Sequence, residues 1–250
     1  GTEPTRYSAE SADAFRRGTA MHGVPALQKA YLENNLGLAL LSLSLADGSH
    51  AVEARQCAES ALAAFRKAGH IQGISYAASN RGLHYLAQQM YDDAEACFEE
   101  TRTIAHRIGE KWTAYGSLVN SACVLLERPD GDREKAFALA FEAMSSAKEN
   151  DDRKGIGDAG LVAAKAAMTL RAVGVQTQSD PAAILEEART AFVSLDQRLG
   201  QAVAAWGLME LDPSWNVCDP AVLIRGTSYE GIAPGLRALP WQMFLLMEVF

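Results

Sequence analysis

Residue patterns that make strands are scarce in this sequence, and so are long apolar runs, paired cysteines and catalytic signatures. Val, Ile, Thr and aromatic residues nowhere alternate with polar ones over the length of a strand, while alanine is abundant, so local propensity favours helix nearly throughout. No apolar run approaches the roughly 20 residues needed to cross a bilayer, and the first residues lack a charged region followed by an apolar signal segment. A cytoplasmic protein without a membrane role is the expectation. Cys57, Cys97, Cys123 and Cys218 show no C-x-x-C spacing, which argues against zinc or a disulfide framework and for small core residues.

Chemistry is equally sparse. His22, His50, His70, His84 and His106 form no H-x-x-x-H or H-E-x-x-H pair, and there is neither a nucleophile elbow nor a phosphate-binding loop. The string GIGDAG, residues 155–160, matches the dinucleotide fingerprint G-x-G-x-x-G. That fingerprint works only after a buried strand that aims a helix N-terminus at a pyrophosphate. Here KENDDRK precedes it, a solvated turn, so the string reads as a flexible lead into the next helix. Asp92–Asp93 and Glu99–Glu100 fall on the polar face of one helix, where solvation and the helix dipole account for them. No enzyme activity, cofactor or metal is therefore expected. A formal net charge of −8 gives an acidic surface that repels phosphate backbones, so nucleic acid is not an expected direct partner.

What the sequence does contain is a repeat. In SYAASNRGLHYLAQQMYDDAEACFEETRTIAH, residues 75–106, Gly82 is followed by Tyr85, Tyr91, Ala94 and Phe98. A small residue lets two helices approach closely and the aromatics fill the groove between them. Tyr91, Ala94, Phe98, Thr101, Ala105 and Ile108 recur at intervals of three and four, which places them on one buried face. Upstream, NNLGLALL supplies Gly37 and Leu40, and Ala54 and Cys57 align with Ala94 and Cys97. Downstream, NSACVLL supplies Ala122 and Leu125, followed by Ala136 and Ala143. Gly37, Gly82 and Ala122 stand 45 and 40 residues apart (82 − 37 and 122 − 82), and the loops ADGSH and ERPDGD inside the outer pairs are longer than that of the central pair. A fourth pair spans GDAGLVAAKAAMTLRAVG and AAILEEARTAFVSLDQRLG, with Asp180-Pro181 as a helix start. AESADAFRRG at 9–18 echoes AESALAAFRKAG at 58–69, as a partial repeat or an N-terminal capping helix would.

These offsets resemble those of the tetratricopeptide (TPR) repeat, over roughly residues 9–200 and most specifically in the middle. The pair length is similar to that of TPR arrays in bacterial signalling and transcriptional regulators. The resemblance implies an all-α chain, a right-handed α-solenoid of antiparallel helix pairs. Residues 1–22 would be a partial repeat or cap, 23–200 the array of about four pairs, and 201–250 a C-terminal helix and capping segment. In that last region ALPWQMFLLMEVF, residues 238–250, is expected to fold onto the last pair, or to dock on a neighbouring domain, because an exposed stacking surface is costly.

In such an array the first helix of each pair lines a concave wall. Asn35, Asn80 and Asn120 each stand two residues before the small residue of their repeat, although asparagine is a mediocre helix former. An amide carries both donor and acceptor, which suits the backbone of an extended peptide. The resemblance to peptide-binding TPR proteins assigns that role to these three positions; the other reading is that they belong to the repeat consensus and bridge neighbouring helices. Tyr31, Tyr76, Asn34, Leu38, Leu41, Leu83, Leu86, Cys123 and Glu127 are expected on the same wall, the two tyrosines either as contact residues or as packing between pairs. Arg81 departs from the family's apolar residue. It either enters the groove or packs its stem inside with the head in solvent. The lysine and arginine clamp for a C-terminal carboxylate is missing, since the adjacent wall positions are Asn34, Ser79 and Val119. The expected partner is a peptide or protein, including other domains of the same full-length protein. The alternative is a small-molecule sensor whose superhelix encloses an effector.

Overall fold

The computed structural model describes residues 3–47 and 49–225, and these residues form helices and no strand. The helices are α1 (Glu3–Ala20), α2 (Ala26–Asp47), α3 (Ala51–Ala68), α4 (Ile71–Ala87), α5 (Tyr91–Ile108), α6 (Lys111–Glu127), α7 (Arg133–Glu149), α8 (Arg153–Ala172), α9 (Pro181–Ser194), α10 (Arg198–Leu211) and the short α11 (Pro220–Leu223). Among the described residues no helix is long and apolar enough to cross a membrane. The expected cap at 238–250 lies outside the described residues.

One device ends most of these helices. The N–H of the residue after a left-handed position reaches back five residues: His70 to Phe65, Met90 to Tyr85, Glu110 to Ala105, Asp152 to Ala147, Val175 to Leu170 and Gln197 to Phe192, at 2.9–3.0 Å. The left-handed residues are Gly69, Gly109 and Gly174, for which positive φ carries no side-chain penalty, and Gln89, Asp151 and Asp196, for which it does. Each such turn satisfies carbonyls that the helix end leaves open and reverses the chain within a few residues. Starts are marked as clearly: the carboxylates of Asp132 and Asp152 accept from the N–H groups of Lys135 and Gly155 at 2.9 and 3.0 Å, and the His70 ring accepts from Gly73 at 3.0 Å.

The chain divides into two compact units: α1–α5 with α6 up to Ser117, and α6 from Leu118 with α7–α11. In the first unit consecutive helices run antiparallel, since Gly82 meets Phe98 while Ser75, earlier on α4, meets Thr101, later on α5. A Cβ at Gly82 would lie 2.6 Å from the Phe98 ring, so the absence of a side chain is what lets the buried ring close the α4–α5 hairpin. Odd-numbered helices are tied along their outer side by Arg16 of α1 on Glu53 of α3 at 2.8 Å and by Arg66 of α3 on Glu100 of α5. Even-numbered helices meet through Leu38, Leu41 and Leu45 of α2 against Leu83 of α4. Tyr31 and Phe65 join Ala30, Ala61, Leu62 and Ala77 in the core beneath.

Within the second unit the same plan uses different residues. Phe192 of α9 lies against Gly157 of α8 and Gly200 of α10, where a Cβ would come within 2.6 and 2.5 Å of the ring. Lys148 of α7 pairs with Glu187 of α9 at 2.7 Å. The string GIGDAG, expected to be a flexible lead, is instead part of α8: Gly155, Gly157 and Gly160 are buried, with Gly160 against Ala188. The physical reason is that α8 starts at the capped Asp152, and its glycines leave room for α9 instead of loosening the backbone. Beyond α10, Trp215 donates its ring N–H to Glu186 at 3.0 Å and the Arg189 guanidinium lies over its ring.

Candidate functional site

In α2 the residues Tyr31, Asn35, Leu38 and Ser42 lie three to four apart and share one face; in α4 Tyr76, Asn80 and Leu83 do the same. Both helices are antiparallel to α3 and hence parallel to each other, so the Leu38–Leu83 contact sets Asn35 and Asn80 one turn from the seam in matching register. Asn35 is exposed and Asn80 half-buried, and neither side-chain amide bonds to any described residue. Asn34 turns inward: it is buried, and its Oδ1 has no hydrogen-bond partner. Leu38 and Leu41 are buried in the seam and offer a ligand nothing, while Leu83 is half-buried. Arg81 points toward α5, its Nε donating to Cys97 Sγ at 3.3 Å, its Nη2 3.6 Å from Glu100 and its guanidinium over the Tyr85 ring. Its charge therefore serves the α4–α5 hairpin.

The two tyrosines behave differently. Tyr31 packs edge-on against Phe65 and His70, with ring centres 4.8 and 5.7 Å apart, and helps bind α2 to α3 and the following turn. Tyr76 faces outward toward the start of α6. Its ring centre is 5.6 Å from that of Trp112, its hydroxyl accepts from Gln72 Nε2 at 2.9 Å, and it donates to Glu110 Oε1 at 3.4 Å. Gln72 also donates to Oε1, and Thr113 Oγ1 donates to Oε2 at 3.0 Å. Burial first, and the negative charge of Glu110 second, raise the ionisation of both Tyr31 and Tyr76 above the usual phenol range. The ring of Trp112 is 56% exposed.

No protein-family model and no curated protein matches this chain. The site is therefore read from its own residues.

Asn120 and Glu127 belong to the part of α6 in the second unit, on one face of that helix. Asn120 is half-buried and its amide bonds to no described residue. Burial raises the Glu127 carboxyl, against the opposing charges of Lys165 and Arg133. Cys123, one turn before it, is buried; burial, then Glu127 and Asp158, push its thiol up to about 12, so it is an inert core residue at neutral pH. Asp158 is held by Lys154 at 2.8 Å, and its carboxyl is raised by burial. Among the described residues no group of three or more His, Cys, Asp or Glu stands in a position to hold a metal ion.

Sequence reasoning passed over Glu110 and Trp112. Glu110 follows Gly109 as His70 follows Gly69, and both are fixed by the same helix-ending bond, so the alignment of AGH with IGE carries the signal. It also passed over His84, which is 1% exposed with neither ring nitrogen bonded; burial, with the charge of Arg55 adding to it, lowers its pKa to about 4.

Proposed function

We propose that this chain is a protein- or peptide-binding module, built as a right-handed solenoid of TPR-like helix pairs and serving as the sensor or scaffold part of a larger regulatory protein. An extended segment of the partner lies across α2 and α4, its backbone held by the amides of Asn35 and Asn80. Asn120, in the second unit, has the same kind of role there. The observation that carries the reading is that the amides of Asn35 and Asn80, in matching register, form no hydrogen bond to any described residue. Bridging between helices therefore does not account for them, and helix propensity disfavours them. A desolvated peptide backbone supplies the donor and acceptor that each amide is able to satisfy. Tyr76 and Trp112 add contact area of the kind that dominates interfaces.

Selection from a displayed library of extended peptides, followed by calorimetry with the best binder, tests this. Asn80→Ala is expected to weaken binding by about 1–3 kcal/mol, since it leaves buried peptide groups unpaired, while the circular dichroism melt stays unchanged. Unaltered affinity in both Asn35→Ala and Asn80→Ala would sink the amide ladder. Failure to recover any peptide, together with stabilisation by a small metabolite, would favour the effector-sensing alternative.

A further inference from the structure

Glu110 is an anion with an unusual set of neighbours. All of its side-chain hydrogen bonds come from neutral donors, Gln72, Tyr76 and Thr113, and it pairs with no Lys, Arg or His among the described residues. Its position at the start of α6 favours a negative charge through the helix dipole. The dipole does not explain why Trp112 stands more than half exposed against Tyr76 beside it, or why Gln72 and Tyr76 of another helix are spent on holding the carboxylate still. Glu53 is answered by the charge of Arg16, and Glu100 by Arg66 and Arg81, while Glu33 accepts a single bond from the Ser60 hydroxyl. At Glu110 the negative charge is felt by the hydroxyls of Tyr76 and Tyr31, both of which it helps to raise. A fixed carboxylate beside the electron-rich faces of an indole and a phenol presents one kind of complement, a cation with an apolar stem.

We infer that Glu110, Tyr76 and Trp112 form a pocket-edge that takes a lysine or arginine side chain of the bound peptide. This rests on the peptide-binding reading above and names the partner's chemistry: a segment with a basic residue where it passes the α4–α6 end of the surface. The ammonium or guanidinium pairs with the remaining lone pair on Glu110 Oε2, and its stem lies on the Trp112 ring. The acidity of the whole chain, −8, draws such a basic segment in.

The test uses the full 250-residue chain and a displayed library of random extended peptides, selected in parallel on the native protein and on Glu110→Gln. The glutamine carbonyl keeps the acceptor for Gln72 and Tyr76, and its amide N–H donates to Thr113 Oγ1 in place of accepting from it, so the fold is preserved while the charge is removed. Expected is enrichment of Lys or Arg at one fixed position on the native protein and its disappearance on Glu110→Gln. The best basic peptide is expected to bind about ten-fold more weakly to Glu110→Gln and to lose part of its salt dependence there. Trp112→Ala, which keeps the charge, is expected to weaken the same peptide while leaving the salt dependence. Peptides recovered without a basic position, or affinity indifferent to Glu110→Gln, overturn this inference and leave the binding module standing. Recovery of no peptide at all overturns both.

Discussion

The hairpins α4–α5 and α8–α9 are closed by the same contact, a phenylalanine ring on a glycine, but differ in what else they bury. Between α4 and α5, Ser75 and Thr101 exchange hydrogen bonds with each other's carbonyls at 3.3–3.4 Å, and His84 sits unpaired in the packed interior of α4. Between α8 and α9 the buried residues are apolar, alanines with Ile156, Leu161, Ile184 and Leu185 beside Gly157, Gly160 and Phe192. Ring-on-glycine closure is thus sufficient to build a hairpin of this type, and the polar residues of the first unit are additions with separate consequences. Among them, the buried His84 makes the first unit sensitive to acid.

The largest effect that would break the comparison comes from the rings. Phe98→Ala and Phe192→Ala should each cost about 3–5 kcal/mol in denaturant unfolding, because both rings are wholly buried. A loss of under about 1 kcal/mol in either would mean that its hairpin closes by another contact. Next comes His84. Its folded pKa of about 4 lies below the ordinary 6.5, so the unfolded chain binds more protons between those values. The stability it contributes is complete above pH 6.5 and is lost as pH falls through about 4, to the extent of about 3 kcal/mol. Subtracting the pH–stability curve of His84→Met from that of the native chain isolates this loss; parallel curves would contradict it. Somewhat smaller, Gly82→Ala and Gly157→Ala should cost about 1–3 kcal/mol by thermal melting, as the added methyl meets a ring that has nowhere to move. Smallest are the caps. Asp132→Ala and Asp152→Ala should each cost about 1 kcal/mol, and equal losses would show that α7 and α8 begin by the same means.

Much of the hairpin plan was legible, because Gly82 and Phe98 mark a helix crossing by size alone and the buried face of α5 follows from the spacing of Ala94, Phe98, Thr101 and Ala105. The start of α8 was not. Glycine's usual meaning is a break, and nothing in GIGDAG itself reveals that a ring 35 residues later (192 − 157) occupies the space. Helix α4 also hid His84: it is packed against α3, α5 and α2, so its buried positions do not reduce to one stripe and periodicity cannot tell which polar residue lies inside. Of the candidate site, the register of Asn35 and Asn80 could be read from repeat alignment, but the inward turn of Asn34 could not, since adjacent helical positions differ by about 100° and the face is decided by neighbours. Glu110 escaped for another reason. Its partners Gln72 and Tyr76 lie on a different helix, and the meeting is set by a backbone turn and not by any spacing of side chains.

That turn has a wider consequence. Where α3, α4, α5, α7, α8 and α9 stop is written in the main chain, by a single backward-reaching N–H and one left-handed residue, and asks little of the side chains on either flank. The faces of the hairpins are consequently free to change their chemistry from one to the next while the stop and reversal of those helices stay the same, which is what lets one architectural unit carry a salt link at one level and an unanswered carboxylate at another.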